Sequence, residues 1–565
     1  MFILRFLPVL FLALLLAPAA AQENYAPPLK GPLLVTGTFG ELRSDHYHAG
    51  LDFRAGTNTP VYAVQDGFVS RIKITGGGYG QAIYVDHPDG FRSVYAHLET
   101  LAPELLDTLR ARQFQYTSFD QDLKFDSLAF PIERGQKIGG VGNRGHSFGP
   151  HLHFEMREID GDVPVNPMRF GFSIPDKRSP QIRSLRVYEL EASGHEISAT
   201  TYQIGRPGRG QRALPDTIFT SVPDVGIAVK TYDRQDAMPN WNGIYSATLT
   251  VDTLRQSGIL HDRIPFEDTR YLNAATDYRE WTKNTSWFHR LWALPRVQSK
   301  GGGALNEGSW IKLQANVPKT VTVDVSDFAG NVSQQKFILK YRPGKEPRVA
   351  HPHQYFIPAD EESIIERPGF KVFFPDGALY EDLYFQFTEL NDNSADRFSP
   401  TYHLHDPLTP LQEPLTIGLA PNRIIPDSLT GHVYLGRCDE EGTSAAGVTA
   451  LDPETGMYVT RVMSFGDYAL FLDIIPPTVQ INSFPTNLSR YAGFSVIAKD
   501  AVGSSRLEFR GTVDGEWVLL EYDAKNDKLT HNFRDSNLAR GRHTFALTVT
   551  DARGNTTVWK RNFTR

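Results

Sequence analysis

Cysteine is almost missing from this chain: 565 residues contain one, Cys438. A single thiol forms no intramolecular disulfide and no multi-thiolate metal site, so a bound metal has to rely on nitrogen and oxygen donors. Long apolar runs are missing as well beyond the first two dozen residues, and no later stretch is long and apolar enough to cross a bilayer. Basic excess is the third absence. Lys and Arg number 58 against 65 Asp and Glu, a formal net charge of −7 with the two signs well mixed. Without a basic patch, nucleic acid is excluded as a partner. The glycine-rich TGGGYG at 75–80 lacks the GxxxxGK[ST] pattern and sits between strand-like runs, which predicts a hairpin or solvent loop rather than a phosphate cradle.

What is present begins with MFILRFLPVLFLALLLAPAAAQ. One arginine is followed by sixteen apolar residues, Phe6 to Ala21, broken by Pro8 and Pro18 and ending in small side chains. This predicts a signal peptide over 1–21, cut after Ala21, and therefore an exported protein. No cysteine stands at the cut, which argues against a lipid anchor there. Export without disulfides suits the periplasm or cell envelope of a Gram-negative bacterium.

The length implies about three to five domains. Short alternating runs separated by glycine, LLVTGTFG, PVYAVQDGFVSRIKI, GQAIYVDH and FRSVYAHL, predict β-structure with tight turns. An interruption follows at 99–130, where Leu101, Leu105 and Leu109 recur every four residues as on a short amphipathic helix. Strand pattern returns in PIERGQKIGGVGNRG and GPHLHFEMR and closes a first domain, 22–175. The rest reads as β-sandwich modules in series at 176–345, 346–475 and 476–565, with one joint at Tyr341–Pro347. TVTVDVSDFAGNVSQQKFIL around Asp327 and FALTVTDARGNTTVWKRNF around Asp551 share a strand, a D-x-x-G-N turn and a second strand. DKRSP at Asp176 and DIIPP at Asp473 open two modules alike. The expected fold class is mostly β throughout.

Five residues carry the chemistry: His48, Asp52, His97, His151 and His153. In an extended HLH the two imidazoles fall on one face while Leu152 turns to the core. Two histidines and a carboxylate, with a position left for water, are the donor set of a catalytic zinc ion. Each piece alone has a plainer reading: HxH as two solvated histidines, HAGLD as turn chemistry, His97 as a core histidine bonded to backbone. Their order along the chain is what gives them weight.

That order resembles the lysostaphin-type zinc endopeptidases of bacterial cell walls, the M23 peptidases. The resemblance rests on HAGLD at 48–52, YAHL at 95–98 and GNRGHSFGPHLHFE at 142–155, with flanks PVYAVQDGFV, GYGQAIYVDH and RGQKIGGVGNRG, and covers 32–157. It implies an antiparallel β-sheet peptidase domain. It also implies Zn2+ held by His48, Asp52 and His153, with His97 and His151 lining the site, His151 to activate water and His97 to steady the oxyanion. His46 lies outside the HxxxD register. There is no HExxH, so the glutamate base of that other class is absent, and Glu155 is expected in a supporting role. The implied substrate is peptidoglycan, cut at a stem or cross-link peptide bond. Gly142, Gly145 and Gly149 are expected to ease the turn into the HLH strand, and His146 is expected to be an exposed loop residue.

The 99–130 segment is longer than compact members of the family require and starts immediately after His97. This places it at the rim, to select substrate, to close over the zinc, or merely to decorate the edge. Two rival readings follow: a catalytically silent or self-inhibited wall-binding activator of the same fold, or an assembly protein whose β modules, with Trp241, Trp281, Trp287 and Trp292, bind envelope partners.

Overall fold

A computed structural model of the protein describes residues 25–294, 297, 307–344, 350–390, 394–439, 442–502, 507–536 and 538–565. The signal peptide expected at 1–21, and part of the joint expected at Tyr341–Pro347, lie outside the described residues.

The chain is mostly β. Its N-terminal part is built on an antiparallel sheet whose strands run, edge to edge, Val35–Gly37, Leu51–Arg54, His151–Glu158, Phe91–Ala96, Gln81–Asp86, Gly67–Ile74 and Gln121–Lys124. The strand period of two assigns its faces. Along His151–Glu158, Leu152, Phe154 and Met156 are fully buried in the apolar core with Leu51, Phe53 and Tyr95. Each contributes roughly 1.5–3 kcal/mol on burial. His151, His153, Glu155 and Arg157 point to the opposite face. A smaller three-stranded sheet, Pro60–Tyr62, Lys137–Val141 and Leu98–Leu101, packs into the same core.

The predicted helix exists as Pro103–Tyr116, with Pro103 in its first turn and Thr117 in the left-handed conformation at its end. Leu105 and Leu109 are fully buried as the spacing predicts, whereas Leu101 closes the preceding strand. The outer face of this helix meets the far end of the chain. Arg110 pairs with Glu521, and with Asp535 at 3.2 Å, and Phe114 stands edge-on to Trp517 at 5.3 Å.

Three further pairs of small, mainly antiparallel sheets follow, spanning Gln181–Tyr341, Ser363–Leu472 and Thr478–Thr564 and consistent with repeated Ig-like modules, with a two-stranded sheet of Tyr355–Ile357 and Leu383–Phe385 beside the second pair. Each pair encloses its own apolar core. The D-x-x-G-N turns at Asp327 and Asp551 join the hairpins Pro318–Ser326/Val332–Tyr341 and Arg542–Thr550/Thr556–Thr564.

The first sandwich is fused to the N-terminal sheet. Ile264, Leu272 and Ala275 belong to the same apolar cluster as the N-terminal core, and Arg263 bonds Glu158 at 2.9 Å. The tryptophans serve packing: Trp292 is buried, and Trp281 stacks on Trp287 at 3.9 Å, with Trp287 against the N-terminal core. Trp241 is partly exposed beneath Arg234, whose guanidinium lies 3.5 Å from the ring centre.

Candidate metal centre

Register brings the first two donors together. His153 lies directly across from Asp52 in the ladder, and the loop before Leu51 folds His48 onto the same point. His48 Nε2, Asp52 Oδ1 and His153 Nδ1 are mutually 3.1, 3.0 and 2.9 Å apart. Both histidines are about 95 % buried.

Each donor has its other polar atom already committed. His48 donates Nδ1–H to the Thr38 carbonyl at 2.8 Å. Asp52 accepts from the Arg43 guanidinium at Oδ2, 3.1 Å. His153 donates Nε2–H to Glu155 at 2.7 Å. These partners fix the tautomers, so one nitrogen lone pair on each ring and one carboxylate oxygen converge. Two neutral imidazoles and a carboxylate converging at 3 Å fit a borderline divalent ion, and zinc above all.

The charges agree with that fit. Burial opposes the charge on Asp52, but the neighbouring His48, His151 and His153 hold its carboxyl well below the usual range. Burial also opposes a charged His153, yet its bonds to Asp52 and Glu155 raise it to about 9. Without the ion, a proton replaces it between the donors.

Around the cluster stand residues of three kinds. Glu155 is completely buried and pinned by Arg157 at 2.6 Å and by the Tyr79 hydroxyl. Arg157 is capped by Phe266 of the first sandwich at 4.6 Å. Tyr79 stacks on the His153 ring at 5.3 Å. The TGGGYG segment is a hairpin as predicted, but it forms a wall of the site rather than a solvent loop. It contacts the 143–146 turn, where His146 N–H bonds Gly78 O at 2.8 Å. Gly145, at φ +73°, permits this approach, because a Cβ there would lie 2.3 Å from Gly78 O. Gly149 has open space and a negative φ, so sterics do not demand glycine there.

His97 sits at the break between two strands in the left-handed conformation, φ +59°, a strained choice for a non-glycine residue. It donates Nδ1–H to Arg144 O at 2.7 Å, and its ring centre is 4.9 Å from that of His151 and 5.8 Å from that of His153. Burial, then the neighbouring His153 and His151, lower it to about 3. His151 donates Nδ1–H to Gly149 O at 2.8 Å and places Nε2 3.5 Å from Asp52. His46 lies away from the cluster, exposed and paired with Asp45, and His146 is exposed.

Sequence reasoning missed Tyr79, Arg43, Thr38 and Arg157. Only Arg157 had a signal, since 151, 153, 155 and 157 share a strand face. It also missed the last sandwich, which reaches the site's outer loop. Arg144 bonds Glu521 at 3.0 Å and Glu99 at 3.1 Å. Lys525 donates to Ser147 O at 3.0 Å and also to Asn143 O.

Comparison with known proteins places names beside this geometry. A family model described as peptidase family M23 matches residues 46–113, and one described as a Zu5-like domain matches 354–473. The chain carries both domains. The first match includes His48, Asp52 and His97; His151 and His153 lie beyond it and are delivered by the sheet. A DD-carboxypeptidase/endopeptidase, Mpg, of Neisseria meningitidis is 34% identical over 135 residues, 24% of this chain and 25% of that one. The peptidoglycan DD-endopeptidase ShyA of Vibrio cholerae is 30% identical over 145 residues, 25% of this chain and 27% of that one. The aligned region thus spans about a quarter of these relatives. Among solved structures, the catalytic domain of the prophage-encoded M23 protein EnpA of Enterococcus faecalis, a point mutant, aligns at 26% identity. It covers 26% of this chain and 97% of that one, with a TM-score of 0.20. No helix among the described residues is long and apolar enough to cross a membrane.

Proposed function

We propose that this chain is a zinc-dependent endopeptidase that hydrolyses peptide bonds in peptidoglycan cross-links. The observation that carries the reading is the donor set itself. His48, Asp52 and His153 each keep one atom for a common centre while the other is held by Thr38, Arg43 or Glu155. Zinc bound there supplies a Lewis acid for the scissile carbonyl and lowers the pKa of water.

The chain's own residues supply the rest. His151, with its Nδ1 proton given to Gly149, offers Nε2 to take a proton from the attacking water. His97, neutral and with its Nδ1 proton given to Arg144, likewise presents Nε2 as an acceptor. It steadies an oxyanion only after taking up a second proton, so both histidines enter the reaction as bases. Phe148, fully exposed on the loop that delivers His151, is placed to meet substrate. The DD-endopeptidase names of the relatives favour a cross-link bond and an exported chain working in a Gram-negative envelope.

One observation favours a restrained form of the same enzyme: Glu521 and Lys525 of the last sandwich rest on the loop that carries His151. Both readings are tested by incubating the 22–565 chain and its His153→Ala variant with purified sacculi, measuring bound zinc and released muropeptides. One zinc per chain with cleaved cross-links, both lost in the variant, supports the enzyme. Zinc without cleavage, followed by cleavage once Lys525→Ala and Glu521→Ala free the loop, supports restraint. Zinc without cleavage in either form leaves a silent binding protein.

A further inference from the structure

Three aspartates from separate parts of the first sandwich meet where it joins the N-terminal sheet. Asp176 comes from the module's opening segment, Asp233 follows the strand Asp224–Tyr232, and Asp327 begins the D-x-x-G-N turn. One carboxylate oxygen of each lies within 4.8 Å of the others. They surround a cavity of about 30 Å³ that is also lined by Gln235, Thr38 and Asn166, enough for one ion or water.

Acidic residues at a surface need no explanation, but Asp233 and Asp327 are buried and Asp233 is under-satisfied. Asp233 is 4% exposed and Gln235 6%, and neither Asp233 Oδ1 nor Gln235 Oε1 has a hydrogen-bond partner. Buried oxygens without partners are rare and costly. Among the described residues, no lysine or arginine forms an ion pair with any of the three carboxylates. Burial, reinforced by Asp176 and Asp327 against a bond from the Arg234 N–H and the charge of Arg178, pushes the Asp233 carboxyl up to about 7. The other two carboxylates are held in place by backbone and amide donors: Arg178 N–H to Asp176 at 3.0 Å, Asn331 N–H and Nδ2 to Asp327 at 2.9 and 2.7 Å.

The last sandwich repeats the frame and differs in one informative place. Asp473, Asp500 and Asp551 converge in the same way, with Asn555 bonded to Asp551 as Asn331 is to Asp327. There Arg553 occupies the position that Ala329 has in the first sandwich, and its charge acts on Asp473 and Asp551. In the first cluster the cation is Arg178 instead, whose charge acts on Asp233 and whose guanidinium bonds the Gln235 carbonyl at 3.4 Å without forming an ion pair with any of the three carboxylates.

We propose that Asp176, Asp233, Asp327 and Gln235 form a calcium site that ties together three separate segments of the first sandwich where it meets the N-terminal sheet. The donors are all oxygen, which selects a hard ion over zinc, and their mixed carboxylate and amide character suits the flexible coordination of Ca2+ better than the strict octahedron of Mg2+. The site borders the metal centre. Thr38, on the cavity wall, accepts His48 Nδ1–H at its carbonyl and bonds Gly243 N–H at its hydroxyl, 3.0 Å. Calcium therefore firms the edge of the sandwich against which the strand end that orients a donor of the metal centre rests. The proposal stands whether or not the chain is a peptidase.

The test is equilibrium dialysis of the full chain against Ca2+, with one equivalent of zinc present and magnesium in excess, alongside thermal melts with and without Ca2+. The parent is expected to bind calcium saturably and to melt higher with it. Asp233→Asn keeps the shape, removes the charge, and is expected to bind at least ten-fold more weakly with zinc content unchanged. In calcium-free buffer it is expected to melt at or above the parent, because repulsion is relieved; a merely structural aspartate would give the reverse. Gln235→Leu, which leaves all three carboxylates, should weaken binding several-fold and covers the case in which Asp233→Asn does not fold. Asp500→Asn should change nothing. No calcium bound by the parent at millimolar concentration, equal binding by Asp233→Asn or Gln235→Leu, or loss only in Asp500→Asn overturns the proposal.

Discussion

His153 is held between two carboxylates, its Nδ1 2.9 Å from Asp52 and its Nε2 2.7 Å from Glu155. The first contact is the place of the metal, and the second sets which nitrogen faces it. Glu155→Gln should leave the fold intact and weaken zinc binding by roughly 10- to 100-fold, the usual cost of losing a partner behind a metal-ligating histidine. Competition against a chromophoric chelator measures this. Glu155→Ala goes further, since it takes from the buried Arg157 guanidinium its buried partner and leaves it the partly exposed Asp162, and should cost about 3 kcal/mol in denaturant unfolding.

The same contact gives the zinc-free protein a pH window. Glu155 is held down at about 2 from its ordinary 4.5; burial opposes this, and Arg157 and His153 outweigh it. Its contribution is complete above 4.5 and disappears as the pH falls toward 2. His153 is raised from 6.5 to about 9, so its contribution is complete below 6.5 and disappears as the pH rises through 9. The His153–Glu155 contact is shared between the two shifts, with Arg157 adding to that of Glu155 and Asp52 to that of His153, so the zinc-free chain has both contributions in full between pH 4.5 and 6.5. Thermal melts should fall away on both sides of that window, and Glu155→Gln should flatten the acid limb and shrink the alkaline one, where Asp52 still holds His153.

His97 and His151 should separate activity from metal content. His97→Asn tolerates the left-handed backbone, and His151→Asn keeps a polar side chain in place. Each is expected to retain one zinc while hydrolysis of sacculi falls by about 10²–10⁴-fold, the range for loss of a proton-transfer group. Zinc loss in either variant would make that residue part of the metal's hold.

Glu521→Ala tests the reach of the last sandwich. The variant removes the partner that Arg144 and Arg110 share, leaving them Glu99 and Asp535, and should lower stability by about 1–3 kcal/mol. Zinc content should not change, because no donor or donor partner is touched. Hydrolysis rates measured beside it show whether the loop holding His97 through Arg144 O loses its set, giving a slower enzyme, or is released, giving a faster one.

Spacing made HxxxD and HxH legible as separate pairs, and the resemblance to the M23 peptidases implied His48, Asp52 and His153 as one donor set; the cross-strand pairing of Asp52 with His153 that joins them has no local pattern. The helix was legible from the spacing of Leu105 and Leu109, while Leu101 was drawn into a strand by pairing with Gly139, which no spacing announces. Tyr79 was read past because glycine-rich sequence signals a turn and says nothing of what the turn leans on. Arg43 and Thr38 act through one long side chain and one carbonyl, and neither has a pattern of its own. The D-x-x-G-N repeats were visible as hairpin turns, but that they enclose oxygens depends on Asp176 and Asp233 arriving from elsewhere.

The contacts of Arg144 with Glu521 and of Ser147 with Lys525 span 377 and 378 residues of chain. To the loop beside His151, the last sandwich is a tethered ligand, and its effective concentration is fixed by the lengths and joints of the two modules in between, whatever the amount of protein. Flexible residues inserted at a joint would dilute it, and a stiffer joint aimed correctly would raise it. The middle modules hold no residue of the donor cluster, yet they set how often its outer loop is engaged.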